Sequence, residues 1–240
     1  MFTLAQIVPW GRSFDEYRRM FALSDADRER AILGCADGPA SFNAEATACG
    51  WRVTSIDPLY RHTAAEIRAR VTAIFDEMVE QTRRNAHEFV WAEPIPSVDA
   101  LARLRAATMN RFLDDYPRGR HHGRYVDAEL PSLPFADRQF SLALCSHFLF
   151  LYATQLTADF HIAAVRELCR VADDVRIFPL RALGATPSAH VPLVARAMRG
   201  DGLTVSIDTV PYEFQRGANQ MMRIVTRFAA PADPDRTDGA

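Results

Sequence analysis

Apolar and polar positions alternate along this chain in two rhythms. The short apolar run Ala31-Ile32-Leu33 and the segments Trp51 to Ile56, Ser141 to Cys145 and Val175 to Phe178 read as strands. Between them, apolar residues recur every three to four positions and predict helices. Ser13 and Glu16 have the spacing of a capping box for a helix over Phe14 to Leu23. Ala40 to Cys49 reads as a small-residue helix stopped by Gly50. Thr63 opens a helix to about Asn85, with Ile67, Val71, Ile74, Phe75 and Met78 on one face. After the aromatic Phe89-Val90-Trp91, Ser97 caps a second long helix carrying Leu101, Leu104, Met109, Phe112 and Leu113 and ending at Tyr116-Pro117. Asp159 to Val171 and Val191 to Met198 are helical. Leu203 to Val210 and Met222 to Phe228 alternate as an antiparallel pair around a Tyr212 to Asn219 loop. Strands alternating with helices define an α/β domain.

The stretch from Ala31 to Tyr60 carries the chemistry. It runs strand, tight turn (Gly34-Cys35-Ala36-Asp37-Gly38-Pro39), helix, second strand, then Asp57-Pro58. That is the order of a mononucleotide-binding unit, in which backbone amides of the turn approach the ligand and the terminal carboxylate accepts from both ribose hydroxyls. The turn and Asp57 resemble class I S-adenosylmethionine-dependent methyltransferases. Laid on that family, Gly34 stands where an acid is usual, Ala36, Gly38 and Ala40 fall on its three glycines, and Asp37 offers a carboxylate inside the turn. A second resemblance lies in Asp127-Ala128-Glu129-Leu130-Pro131-Ser132-Leu133-Pro134-Phe135-Ala136-Asp137, an acid shortly before Leu-Pro-Phe. With DGPASFNAE, LPSLPFAD, SHFLFLY and VRIFPL, the chain is similar to an uncharacterised bacterial group of such enzymes.

The resemblance implies a Rossmann-like three-layer sandwich with a mostly parallel seven-stranded sheet, its last strand antiparallel and inserted between strands five and six. It implies S-adenosylmethionine as cofactor, with S-adenosylhomocysteine as product. Gly34, Cys35, Ala36, Asp37 and Gly38 would cradle the methionine part and Asp57-Pro58 would meet the ribose. Glu129 and Leu130 would read the adenine edge, with Asp127 the rival of Glu129. The leading segment would fold over the cofactor, with Trp10, Arg12 and Tyr17 in the pocket and Arg12 on the methionine carboxylate; a helix packed on the sheet edge is the alternative. Ser146 and His147, at the carboxyl end of strand four, would face the reaction centre. His147 is the first candidate for a base or orienting group because histidine titrates near neutrality, and Tyr152 and His161 follow it.

Composition adds exclusions. The chain has 240 residues, 48% hydrophobic and 24% charged, enough for one compact domain with elaborations. Its boundaries are expected at 1–28 for the N-terminal segment, 29–229 for the methyltransferase domain and 230–240 for a disordered tail. The helical insertion at about 63–117 exceeds a plain crossover and predicts a lid or substrate-selecting cap, with added core that only stabilises the domain as the alternative. A net charge of −2 gives no general attraction to nucleic acid or anionic membrane. The cluster Arg118 to Arg124 (RGRHHGR), without interleaved aromatics, reads as a solvated loop. All 28 basic residues are arginine, which hints at a GC-rich bacterial genome. Cys35, Cys49, Cys145 and Cys169 lack metal or CxxC spacing and read as free thiols, mostly buried, in a reducing cytoplasm. No metal set and no membrane-length apolar run stands out. The expectation is a cytoplasmic methyltransferase, monomer or homodimer, acting on a small molecule. The rivals are a non-catalytic cofactor-binding or scaffold protein of the same fold, and a nicotinamide-dependent oxidoreductase, which the absence of GxGxxG disfavours.

Overall fold

The computed structural model describes residues 10–226. Seven strands lie in one sheet: β1 (Ala31–Cys35), β2 (Arg52–Ile56), β3 (Tyr125–Val126), β4 (Leu142–Ser146), β5 (Asp174–Phe178), β6 (Thr204–Thr209) and β7 (Gln220–Val225). Their order is β3-β2-β1-β4-β5-β7-β6, and β7 alone is reversed, antiparallel to both β5 and β6. The chain leaves β1 toward one edge and returns to its other side at β4, which opens a crevice at the carboxyl ends of the two strands.

The helices α1 (Phe14–Met20), α2 (Phe42–Ala48), α3 (Ala64–Arg84), α4 (Val98–His121), α5 (Ala158–Val171) and α6 (His190–Gly200) complete the layers. Strand residues divide between two cores by the two-residue period of a pleated strand. Leu33 and Cys35 of β1, with Ala143 and Cys145 of β4, pack against Val165 and Leu168 of α5 and Val194 and Met198 of α6. Ile32, Leu142 and Leu144 face the opposite way onto Tyr17 and Met20 of α1 and Phe42 and Ala46 of α2. A third cluster seals the insertion, with Ile67 and Val71 of α3 against Met109, Phe112 and Leu113 of α4. The stripes of α3, α4 and α5 are legible in the sequence.

Three expectations are corrected. Helix α1 ends at Met20 rather than Leu23, because Ala22 turns left-handed with φ +48°. Helix α4 runs through Pro117 to His121, so Arg118 to His121 are its last turn and not a loop. Proline removes one helical hydrogen bond there. The helix is held just before it, where the Tyr116 hydroxyl donates to the carbonyls of Tyr60 (2.8 Å) and His62 (2.9 Å) and Arg124 grips Asp115 at 2.7 Å. Of the four thiols, Cys35 and Cys145 are buried, Cys169 is half-buried and Cys49 is exposed at the end of α2. Residues 1–9 and the expected tail lie outside the described residues, as does the end of the Met222 to Phe228 strand.

Candidate active site

A cavity of about 910 Å³ occupies the crevice, in the upper part of the ~300–1,000 Å³ range of small-molecule sites. Its floor is the turn after β1. The Asp37 carboxyl folds back over Gly34, where a Cβ would come within 1.9 Å of Oδ2. Asp37 therefore puts its carboxyl over the position whose own acid is missing. It is buried, and accepts hydrogen bonds from the Tyr17 hydroxyl at 2.6 Å and the Ser55 hydroxyl at 2.6 Å. Burial is the largest influence on its pKa and raises it to about 7, against the opposing hydroxyls.

Asp57 closes β2 and caps the short helical turn Pro58–Arg61, accepting from the Leu59 amide at 2.8 Å. Its other oxygen accepts from the Gly38 amide at 2.9 Å, which stitches the ends of β1 and β2 together. Burial again dominates and raises its pKa to about 6, so the carboxylate is mostly ionised at neutral pH. Each oxygen has spent one lone pair and keeps one for a ligand. The turn itself differs from expectation. The amides of Ala36 and Asp37 donate to the Ile56 carbonyl and that of Gly38 to Asp57, so they are not free donors. Gly38, at φ +53° and with its carbonyl held by the Tyr60 hydroxyl, presents bare backbone surface instead.

The leading segment crosses above. Gly11 lies so close to Pro39 that a Cβ would sit 2.1 Å from its carbonyl oxygen. This approach brings Trp10, Arg12 and Tyr17 into the wall, and Trp10 meets Phe75 of α3 with ring centroids 5.5 Å apart. Arg12 donates to the Trp10 carbonyl, while its Nε is buried without a hydrogen-bond partner. Nearby, Glu16 and Arg105 form a fully buried bidentate pair at 2.6 and 2.7 Å, and Tyr212 donates to Glu16 at 2.8 Å. Two guanidiniums against one carboxylate leave this corner positively charged. The Arg12 pKa is lowered by burial and by Arg105.

His147 follows β4 in a left-handed conformation, φ +50°, with its amide donating to the Phe178 carbonyl at 2.7 Å. Such a backbone is costly for a non-glycine residue and occurs where a side chain must be aimed. Burial, then Arg12 and Arg105, push its pKa well below the usual histidine value, so the ring is neutral at physiological pH. Its Nδ1 lies 2.9 Å from the Ser146 hydroxyl, which also meets Tyr17. The Tyr17 hydroxyl spends its hydrogen on Asp37. Ser146 then donates to Tyr17 and His147 donates from Nδ1 to Ser146. That polarity leaves Nε2 as the basic nitrogen.

Of the residues singled out in the sequence, Arg12, Tyr17, Cys35, Ala36, Asp37, Gly38, Asp57, Pro58, Glu129, Leu130, Ser146 and His147 line this one cavity. Gly34 lies beneath Asp37 outside the lining, and Tyr152 faces a separate, smaller cavity. His161 is buried between the carbonyls of Thr157 and Leu149, away from both. Sequence reasoning missed Ser55, Tyr60 and Arg105, whose partners are distant in the chain. It also missed Phe148, Leu156 and Phe160, which form an apolar wall beside Glu129 and Leu130.

The strand order, with β7 reversed between β5 and β6, is the one the resemblance implies; the fold is a Rossmann-like α/β sandwich, and the cavity lies at the carboxyl edge of its sheet. The chain belongs to the family of the uncharacterised protein MJ0045 of Methanocaldococcus jannaschii, an archaeal relative 32% identical over 222 residues that span 92% of this chain and 97% of that protein. No family model matches it. Among solved structures, the chain is similar to a magnesium protoporphyrin IX methyltransferase of Synechocystis PCC 6803 with S-adenosylmethionine bound (12% identity, 89% of this chain and 91% of that one, TM-score 0.44). It is also similar to an S-adenosylmethionine-dependent methyltransferase of Thermotoga maritima described as a possible histamine N-methyltransferase (12% identity, 90% and 90%, TM-score 0.44). Likenesses this distant transfer no chemistry, which rests on the site's own residues.

Proposed function

We propose that the protein is an S-adenosylmethionine-dependent methyltransferase acting on a small molecule. The observation that supports this most is Asp57, tied to Gly38 across the strand ends and keeping a free lone pair on each oxygen, in one cavity with Arg12 and Glu129. The donor set suits the cofactor. Arg12, with an unpartnered buried Nε in a positively charged corner, would hold the methionine carboxylate. Asp57 would accept from the ribose hydroxyls, and Glu129 with the Leu130 amide would read the adenine beside Phe148 and Leu156. When bound, this cofactor supplies an electrophilic methyl whose carbon–sulfur bond breaks with the electron pair kept by sulfur. The chain's own part is to align the acceptor, exclude water and receive a proton at His147 Nε2. The insertion would act as a cap, since α3 already contributes Arg70, Ala73 and Ile74 to the wall.

The internally satisfied turn amides favour a second reading, a non-catalytic cofactor-binding or scaffold protein of the same fold. Calorimetric titration with S-adenosylmethionine, S-adenosylhomocysteine and NAD separates the methyltransferase from a scaffold, and a non-catalytic binder differs from the enzyme in taking the cofactor without turning it over. Binding of the first two and not of NAD is the expected result. Silence toward all three removes the methyltransferase reading and leaves the scaffold.

A further inference from the structure

Behind Trp10, Arg12 and His147 lies a second cavity of about 80 Å³, and these three residues are the ones that line both chambers. The rest of its wall is largely ring faces and apolar stems. Phe89 and Phe214 stack at 4.8 Å, Phe178 meets Tyr212 edge-on at 5.7 Å, and Met78 and Leu101 come from the insertion. Three polar groups along this wall each spend a hydrogen on a protein partner. Tyr212 donates to Glu16, Thr82 to the Met78 carbonyl and the Gln215 amide to the Ala182 carbonyl. His147 and Arg12, which also line the chamber, supply it with a ring nitrogen and a positive charge.

Flat walls admit a flat group. A volume of about 80 Å³ takes only the reacting end of a molecule, since each water in the liquid occupies ~30 Å³. A fixed cation in dry surroundings favours the anion of a weak acid over its neutral form. A basic ring nitrogen beside it accepts the proton-bearing atom. We propose that this chamber is the acceptor site and that its ligand is a weakly acidic aromatic, a phenol or an N–H azole, whose O–H or N–H proton passes to His147 Nε2 while the Arg12 guanidinium faces the resulting anion. This rests on the methyltransferase reading above. The partition residues then stand between cofactor and acceptor, and the residues of the insertion and of the β6–β7 loop set which ring fits.

The test uses 4-nitrophenol, whose phenolate has its own absorption band, titrated into the full chain saturated with S-adenosylhomocysteine. The expected result is binding with the bound probe shifted toward phenolate. Ala218→Phe, which fills the chamber, and independently Leu183→Phe at its half-buried edge, should each weaken the probe about tenfold and leave S-adenosylhomocysteine affinity unchanged. Cyclohexanol, of similar size but without acidity, should bind far more weakly than 4-nitrophenol. The proposal is overturned if 4-nitrophenol does not bind, binds as the neutral phenol, is displaced by S-adenosylhomocysteine, or binds both folded variants as it binds the parent. If S-adenosylhomocysteine itself fails to bind while the probe still binds as phenolate and is lost in the two variants, the chamber's ligand class stands and methyl transfer falls.

Discussion

Asp57 and Asp37 stand on the same rim of the sheet and are held differently, which gives each its own signature. Asp57 offers lone pairs to the cavity, so Asp57→Ala should weaken S-adenosylhomocysteine binding by about 1–3 kcal/mol, the scale of hydrogen bonds to a charged group. Isothermal titration reads this directly, and unchanged affinity in a folded variant removes the ribose role. With a pKa raised to about 6, Asp57 loses its acceptor capacity as the pH falls through that value, and affinity should fall with it. Asp37 is a stability group. Its folded pKa of about 7 lies above the unfolded 3.8, so the native state binds the proton more tightly between those values. Stability conferred by the protonated form is present at the low end of that window and is lost as the pH rises through about 7. Asp37→Asn keeps the hydroxyl partners Tyr17 and Ser55 and removes the charge. Thermal melts of the variant should show a flatter decline in stability from acid to neutral pH than those of the parent; parallel curves would refute the buried-acid account.

Among the elements, the leading segment, the insertion and the β6–β7 loop meet at one buried ion pair. Glu16 of α1 caps its own helix through Ser13, receives both arms of Arg105 from α4 and accepts from Tyr212. The guanidinium holds the Glu16 carboxyl far below the usual carboxylate range against the opposing effect of burial. Replacing one partner strands a charge in the interior, so Arg105→Met should cost about 3–5 kcal/mol in urea unfolding. Arg105→Met combined with Glu16→Gln should recover a substantial part of that loss. An additive double variant would mean that the two residues do not act as a pair. The three elements that cover the site are thus fastened to each other as well as to the sheet.

For the whole molecule, the site sits where ligand binding reports on folding. A ligand present at a hundredfold excess over its dissociation constant stabilises the native state by about 2.7 kcal/mol. For a domain of this size each kcal/mol moves the melting temperature by about 2–4 °C. S-adenosylhomocysteine should therefore raise it by roughly 5–10 °C, and Asp57→Ala should show a smaller rise at the same ligand concentration. A rise of equal size with NAD would place the protein among nicotinamide-binding folds instead. Among the described residues no helix is long and apolar enough to cross a membrane.

The strand–turn–helix–strand unit, the reversed last hairpin and the two long insertion helices were readable along the chain, because their signals are periodicity, caps and turn residues within a few positions of each other. So was the candidate set from Arg12 to His147, named from the leading segment, from the turns after β1 and β2, from the acid before Leu133-Pro134-Phe135 and from the end of β4. Tertiary structure alone decided the rest. That the carboxyl of Asp37 fills the space over Gly34 depends on a left-handed turn at Ala36 and on Ser55 and Tyr17, far away in sequence. That α4 passes through Pro117 depends on Tyr116 reaching carbonyls in the turn after β2. That Glu16 meets Arg105, and that Trp10, Arg12 and His147 separate two chambers, follows from the closing of distant elements on each other. Local patterning specifies elements because its physics acts over one or two turns; charge placement, burial and cavity shape arise only when those elements pack.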